Sequence, residues 1–445
     1  MTKDMTAGSP IKLILRFTIP LIFGNLFQQF YSMVDTIIVG RFLGKTALAA
    51  VGSTGAVNFF IIGFCLGLCS GFAIPVAQRF GAKNFVDMRR LIGNIIWLSV
   101  GASVILTVLT VCSCRPILVL MSTPEDIIDG AYTYIVIIFA GIPATFFYNI
   151  LASLLRALGD SKTPVVFLVI ASLINIVMDL FLILVIPMGV AGAALATVIS
   201  QLISGIACFL FIIKKFTALH IHKEDLRPRT PYMLDLLGTG IPMGLQTSIT
   251  AIGSIILQSS VNTLGSTIVA SVTAANKLSI FFSCAFDAMG VAMSTYGGQN
   301  IGANKPERLN PGLKAGMLIG SIYSIIALVI LIFFGKTLTT MFVERSETEI
   351  ISNAYRFLIT CAAFYIPLTA VNVFRLMIQG MGFSKVAVFA GVFEMVARGV
   401  TGLWLVPAFG FTAACFASPI AWVLADLFLI PVYFKILRRV QTGTV

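Results

Sequence analysis

Gln78-Arg-Phe-Gly-Ala-Lys-Asn84 and Gln299-Asn-Ile-Gly-Ala-Asn-Lys305 are two copies of one motif, 221 positions apart (299 minus 78). Leu43-Gly44-x-Thr46-x-x-Ala49 returns in the same way as Leu264-Gly265-x-Thr267-x-x-Ala270. The proline of Phe17-Thr-Ile-Pro20 returns in Thr239-Gly-Ile-Pro242. These offsets are half the chain's 445 residues, and both halves are apolar almost throughout. A duplicated, membrane-embedded chain with a few isolated carboxylates reads as a secondary transporter, because such folds are commonly built from repeats around a midplane site.

Composition excludes a water-soluble globule. The chain is 58% hydrophobic and 11% charged, with mean hydropathy +1.00, whereas soluble domains carry roughly 25% charged residues. Apolar runs near the roughly 20 residues that cross a bilayer recur along the chain. Twelve of them fit between about residues 13 and 434, so the expected fold is an all-α membrane protein of twelve transmembrane helices in two pseudo-symmetric six-helix lobes. The net charge of +12 does not indicate a nucleic-acid partner. Lys and Arg concentrate several-fold in alternate connecting segments, which marks those as cytoplasmic and places both termini inside.

The longest polar stretch, Lys214 to Pro231, lies at the midpoint and contains Pro228 and Pro231. It reads as a cytoplasmic linker (214–231) between an N-terminal lobe (1–213) and a C-terminal lobe (232–445). An even number of spans per lobe gives the repeats one orientation, related by an axis along the membrane normal. Gly63, Gly67 and Gly71 form a small-residue face at helical spacing, which lets a neighbouring backbone approach closely. Prolines 20, 75, 143, 242, 367 and 419 lie within spans and mark candidate bends. The eight cysteines form no Cys-x-x-Cys pair, and the two histidines, His220 and His222, both sit in the linker. Neither zinc nor a redox motif is suggested.

The chemistry lies in the polar residues inside the spans. Each intramembrane charge costs roughly 2.5–3.5 kcal/mol on insertion scales and is a functional hypothesis by default. Asp35 on span one and Asp179 on span five are the carboxylates of the first lobe. Asn175 is one helical turn before Asp179, so the two share a face. Asp179 and Thr197 flank the turn between spans five and six at equal depth, roughly 12 Å by helical rise. Asp35, Asn175, Asp179 and Thr197 can therefore converge into an oxygen-rich cluster suited to a hard monovalent cation or a shared proton. Gln28 and Tyr31 share the face of Asp35, and Asn149 and Ser153 are four apart on span four. These four are candidates to line a substrate cavity. In the second lobe, Glu394 and Arg398 are spaced i,i+4 and read as an internal ion pair. Arg375 and Asp287 are a further possible pair, and Asp426 has no assigned partner. The counterparts of Asn175 and Asp179 are Val396 and Val400, so the lobes share a fold without sharing a site.

With these residues in place, the chain resembles the MATE (multidrug and toxic compound extrusion) family. The stretch from Gly24 through Asp35 to Gly44 is similar to the family's first-span motif. Leu155-Arg-Ala-Leu-Gly-Asp160 and Met293-Ser-Thr-Tyr-Gly-Gly-Gln-Asn-Ile-Gly-Ala303 also match. The resemblance covers about 12 to 434 and implies a V-shaped pair of six-helix lobes. It also implies efflux of cationic or amphipathic small molecules in exchange for H⁺ or Na⁺, with no cofactor, by a plasma-membrane monomer. In the family's DinF-like branch an Asp on span one, an Asn and an Asp four apart on span five, and a Thr on span six form a cation site. Asp35, Asn175, Asp179 and Thr197 match that pattern. The acids that serve coupling on spans seven and ten of the NorM-like branch are Thr250 and Leu368 here. A lipid-linked oligosaccharide flippase of the wider superfamily is the alternative, but it calls for a strongly basic cavity. An intramembrane enzyme is more remote. The chain has no His-Glu-x-x-His, Gly-x-Ser-x-Gly or phosphate-binding loop, so it is not expected to be an enzyme.

Overall fold

The structure is a computed structural model, and it describes residues 4–121, 123–216 and 220–443. Within hydrocarbon every backbone N–H and C=O must be bonded inside the protein, and long helices do this segment by segment. The described chain is accordingly helical: α1 Pro10–Ile38, α2 Gly44–Ser53, α3 Gly55–Gly81, α4 Phe85–Leu120, α5 Glu125–Ala140, α6 Ile142–Ala157, α7 Lys162–Leu180 and α8 Val190–Lys215 make the first half. The second half is α9 Thr230–Asn262, α10 Ser266–Gly302, α11 Leu309–Thr339, α12 Thr348–Ala363, α13 Tyr365–Gly380, α14 Ser384–Val400, α15 Val406–Phe409 and α16 Phe411–Gln441.

Ten of the described helical stretches are long and apolar enough to cross a membrane. Two bent pairs complete the expected twelve: α5 with α6 at 47°, and α12 with α13 at 50°. Pro143 and Pro367 stand just past these breaks. A proline lacks the N–H that bonds one turn back and crowds that turn's carbonyl, which bends the helix. Of the six prolines expected to mark bends, Pro20, Pro75, Pro242 and Pro419 lie inside continuous helices instead. The chain between α1 and α2 is also helical. A π-helical turn, Val39–Leu43, follows α1, and Gly44 (φ 87°) starts α2.

The duplication reappears in backbone dihedrals. Lys83 and Asn304 both take the left-handed conformation, with φ of 56° and 54°. Gly189 and Gly410 share a different positive-φ conformation, with φ of 62° and 59° and ψ of −140° and −139°. Each pair is 221 positions apart (304 minus 83; 410 minus 189). Matched unusual dihedrals at matched positions are a copy of a fold, not a coincidence of composition.

The chain packs as two units, Phe23–Gly244 and Asp4–Ile22 with Leu245–Val445. These bounds fall inside α1 and α9, beside Pro20 and Pro242, whereas the described residues of the linker, 214–216 and 220–231, lie within the first unit; its residues 217–219 lie outside the described residues. In that unit the glycine face of α3 meets the start of α9. A Cβ on Gly67 would lie 2.6 Å from the Met243 carbonyl oxygen, and one on Gly71 would lie 2.5 Å from the Gly240 Cα. The segment before α9 docks on α4: Trp97 Nε1 donates to the Leu226 carbonyl at 2.8 Å, the Arg229 N–H donates to Asn94 Oδ1 at 2.9 Å, and Arg89 pairs with Asp225 at 3.5 Å.

The second unit holds the matching lead-in segment. The Met5 N–H donates to Gln299 Oε1 at 2.8 Å and Asn300 Nδ2 donates to the Met5 carbonyl at 3.2 Å. Lys305 and Arg308 bind the carbonyls of Thr6 and Gly8 at 3.0 and 2.8 Å. The repeated Gln299-Asn300 motif is thus a clamp for the chain's start. Gln299, Asn300 and Met5 are all but fully buried.

Candidate cation-coupling site

Asp35 sits in the last turn of α1 and Asp179 in the last turn of α7. Their carboxyl groups are near neighbours, within electrostatic range of one another. Asp179 is 0% exposed and Asn175 2%, while Asp35 and Tyr31 are half-buried. Asn175 Nδ2 donates to Thr197 Oγ1 at 3.4 Å, and that hydroxyl donates to the Ala193 carbonyl at 3.2 Å. The acids, the amide and the hydroxyl that spacing predicted to converge therefore come together in the first unit. Two carboxylates at this separation repel unless a proton or a cation lies between them. Such a pair has the chemistry to take up one positive charge.

Two features escaped sequence reading. Tyr134 on α5 lies within electrostatic range of both carboxyl groups, as does Tyr31. The signal was a buried tyrosine in an apolar span, whose hydroxyl needs a polar neighbour. Each acid is also followed within a turn by π-helical backbone, Val39–Leu43 after Asp35 and Phe181–Val185 after Asp179. Single π turns are frequent at functional positions because they loosen the regular bonding of the helix.

The four proposed cavity residues are placed differently. Gln28 is exposed, and Tyr31 turns toward the acids. Asn149 Nδ2 donates to the Thr145 carbonyl at 2.8 Å, and buried Ser153 accepts from Arg156 Nη2 at 2.8 Å. Both of these bonds stay within α6.

In the second unit, the expected Glu394–Arg398 pair is one arm of a bridge. Arg375 Nη1 donates to Glu394 Oε1 at 2.8 Å, and Arg398 Nη2 donates to Oε2 at 3.4 Å. Arg375 also reaches Asn372 Oδ1 at 3.4 Å. The close partner of Arg375 is thus Glu394, not Asp287, the partner considered from the sequence, although Asp287 stays in its field. Asp426, with no partner assigned from sequence, sits beside Glu394 and Arg375. No described group of His, Cys, Asp and Glu has the makings of a multidentate metal centre.

The MatE family model matches this chain twice, over residues 20–181 and 242–404. The chain belongs to this family, the multidrug and toxic compound extrusion transporters, and is a multi-pass membrane transporter, not an enzyme. It is 30% identical to "Probable multidrug resistance protein YoeA" of Bacillus subtilis (strain 168), over 76% of this chain and 74% of that one. "DNA damage-inducible protein F" of Escherichia coli (strain K12) is 25% identical over 83% of this chain and 80% of that one. The fold is similar to that of a solved structure described as "Outward-facing conformation of a multidrug resistance MATE family transporter of the MOP superfamily", with a TM-score of 0.91 at 23% identity, covering 99% of each chain.

Proposed function

We propose that this protein is an antiporter that exports cationic or amphipathic small molecules in exchange for H⁺ or Na⁺, with Asp35 and Asp179 as the coupling acids. The observation that carries this reading is the proximity of two carboxyl groups on different helices, beside the Asn175–Thr197 bond. The same four residues match the DinF-like pattern, and relatives such as YoeA are named as probable multidrug resistance proteins. The setting is the plasma membrane, with both termini cytoplasmic and the chain acting as a monomer.

In this reading the empty pair is negative and attracts an organic cation toward the face of α1 that carries Tyr31. A proton or Na⁺ entering between the acids removes that attraction and the repulsion between them. Substrate and coupling ion then compete for one charge, and coupling equals their differential affinity for the two states of the transporter. Efflux of a fluorescent cationic dye from everted vesicles, with ΔpH and ΔpNa imposed separately, tests the proposal. One gradient should drive dye movement. Dye movement under neither gradient would overturn it.

A further inference from the structure

We propose that the first unit holds a binding site for the headgroup of an anionic phospholipid, built where residues 223–229 lie on α4. With 36 residues, α4 is about 54 Å long at 1.5 Å per residue, whereas the hydrocarbon layer is about 30 Å thick. Its ends therefore stand among the headgroups. Trp97, Val100 and Val104 are spaced i, i+3 and i+7 and all are exposed, so they form one apolar stripe for acyl chains. Trp97 ends this stripe on the side where α4 begins, and tryptophan favours the boundary between acyl chains and headgroups. At that level the segment before α9 lies on the helix. Gly93 leaves no room for a Cβ beneath the Asp225 carbonyl, and the Trp97 indole donates to the Leu226 carbonyl at 2.8 Å. The buried Asn94 donates to the Arg227 carbonyl at 3.5 Å and accepts from the Arg229 N–H at 2.9 Å. Arg227-Pro228-Arg229 is thus pinned on both sides, and Pro228 removes further backbone freedom.

Charge completes the site. Residues 85–97 and 220–229 carry five bases, Arg89, Arg90, Lys223, Arg227 and Arg229, against three acids, Asp87, Glu224 and Asp225. Arg90 pairs with Asp87 at 3.3 Å and Arg89 with Asp225 at 3.5 Å. Lys223, Arg227 and Arg229 form no ion pair among the described residues, and only Glu224 opposes them. Arg227 and Lys223 are exposed, as is Leu226 beside Trp97. An anionic phospholipid fits this order of surfaces: acyl chain along Val104 and Val100, glycerol level at Trp97 and Leu226, phosphodiester at Arg227. The planar guanidinium suits a phosphodiester, and on a fixed backbone it loses less freedom when it binds. The surplus positive charge selects an anionic headgroup over a zwitterionic one, whose own cation offsets the attraction. Free phosphate carries the charge but lacks the chains that the stripe accepts.

The test uses the purified full-length protein in an uncharged detergent, with thermal unfolding followed as lipid is added. Dioleoylphosphatidylglycerol is compared with dioleoylphosphatidylcholine and with inorganic phosphate at constant ionic strength. A ligand of the folded state raises Tm in a saturable way. The expected result is a larger saturable rise with phosphatidylglycerol than with phosphatidylcholine, and none with phosphate. Arg227→Gln should raise the half-saturating concentration of phosphatidylglycerol roughly tenfold, the equivalent of one charge-assisted hydrogen bond. Leu226→Glu, which sets a carboxylate on the same exposed segment, should act in the same direction and decides the matter if Arg227→Gln does not fold. Arg115→Gln makes the same charge change at the far end of α4, on an exposed side chain, and should leave the titration unchanged. Equal curves for the two lipids, a rise reproduced by phosphate, or a half-saturation unmoved by Arg227→Gln and Leu226→Glu would overturn the proposal. So would an equal effect of Arg115→Gln, because overall charge and not this site would then attract the lipid.

Discussion

A carboxylate in hydrocarbon costs roughly 2.5–3.5 kcal/mol on insertion scales, so two side by side persist only where their charge is used or neutralised. Asp35→Asn and Asp179→Asn each keep the shape and remove the exchangeable charge. Each should abolish gradient-driven dye efflux at wild-type membrane abundance, and wild-type rates in either would refute the coupling role. Tyr134→Phe should leave abundance unchanged and alter the H⁺ or Na⁺ dependence of efflux, because only the hydroxyl near the acids is lost. An unchanged ion dependence removes Tyr134 from the site. In the second unit, removing one member of a buried ionic bridge typically costs about 3–5 kcal/mol. Glu394→Gln strands two guanidiniums, whereas Arg398→Gln leaves Glu394 with its closer partner Arg375 at 2.8 Å. Thermal unfolding should therefore show Glu394→Gln as the more damaging change. The reverse order would mean that Arg375 does not hold Glu394.

At the scale of the helix, close backbone approach depends on missing side chains. Gly71 on α3 faces the Thr239 carbonyl and Gly240 of α9 so tightly that any Cβ would force the helices apart. Overpacking of this kind costs typically 1–3 kcal/mol, and more where backbone is the obstacle. Gly71→Val should lower the yield of monodisperse protein and its Tm. Gly101→Val on α4, where nothing lies within 4 Å of the added Cβ, should not. Equal behaviour of the two would contradict the close approach. The small-residue face was legible as a packing surface from its spacing, but its partner was not. Spacing describes one helix at a time, and the partner begins more than 160 residues away in the chain (239 minus 71).

For the whole molecule, the two packing units exchange the starts of their first helices, Pro10 to Ile22 of α1 and Thr230 to Gly244 of α9. Asp4–Ile22 belongs with the second half of the chain, and the stretch up to Gly244 belongs with the first. A chain cut at Ala218 therefore separates α3 from the helix start that covers Gly67 and Gly71. Each fragment expressed alone should be degraded or aggregated, while co-expressed fragments should co-purify and restore dye efflux. A fragment ending at residue 218 that is stable and monodisperse by itself would count against the exchange.

Much of this was determined by the sequence alone. A bilayer demands long apolar helices, so the membrane class and the twelve spans follow from hydropathy. A gene-scale duplication leaves motifs at a constant offset, so the two repeats are visible in Gln78 and Gln299. Acids in hydrocarbon are too costly to be incidental, so Asp35 and Asp179 stand out, and helical periodicity adds Asn175. What only the tertiary structure decided is which groups meet across distant helices: Glu394 rather than Asp287 as the close partner of Arg375, Tyr134 beside the acid pair, and the clamp of Gln299 and Asn300 on Met5. Periodicity specifies the face a residue occupies on its own helix. Its partner is set by how helices far apart in the chain bend at Pro143 and Pro367 and pack against one another, which local spacing does not encode.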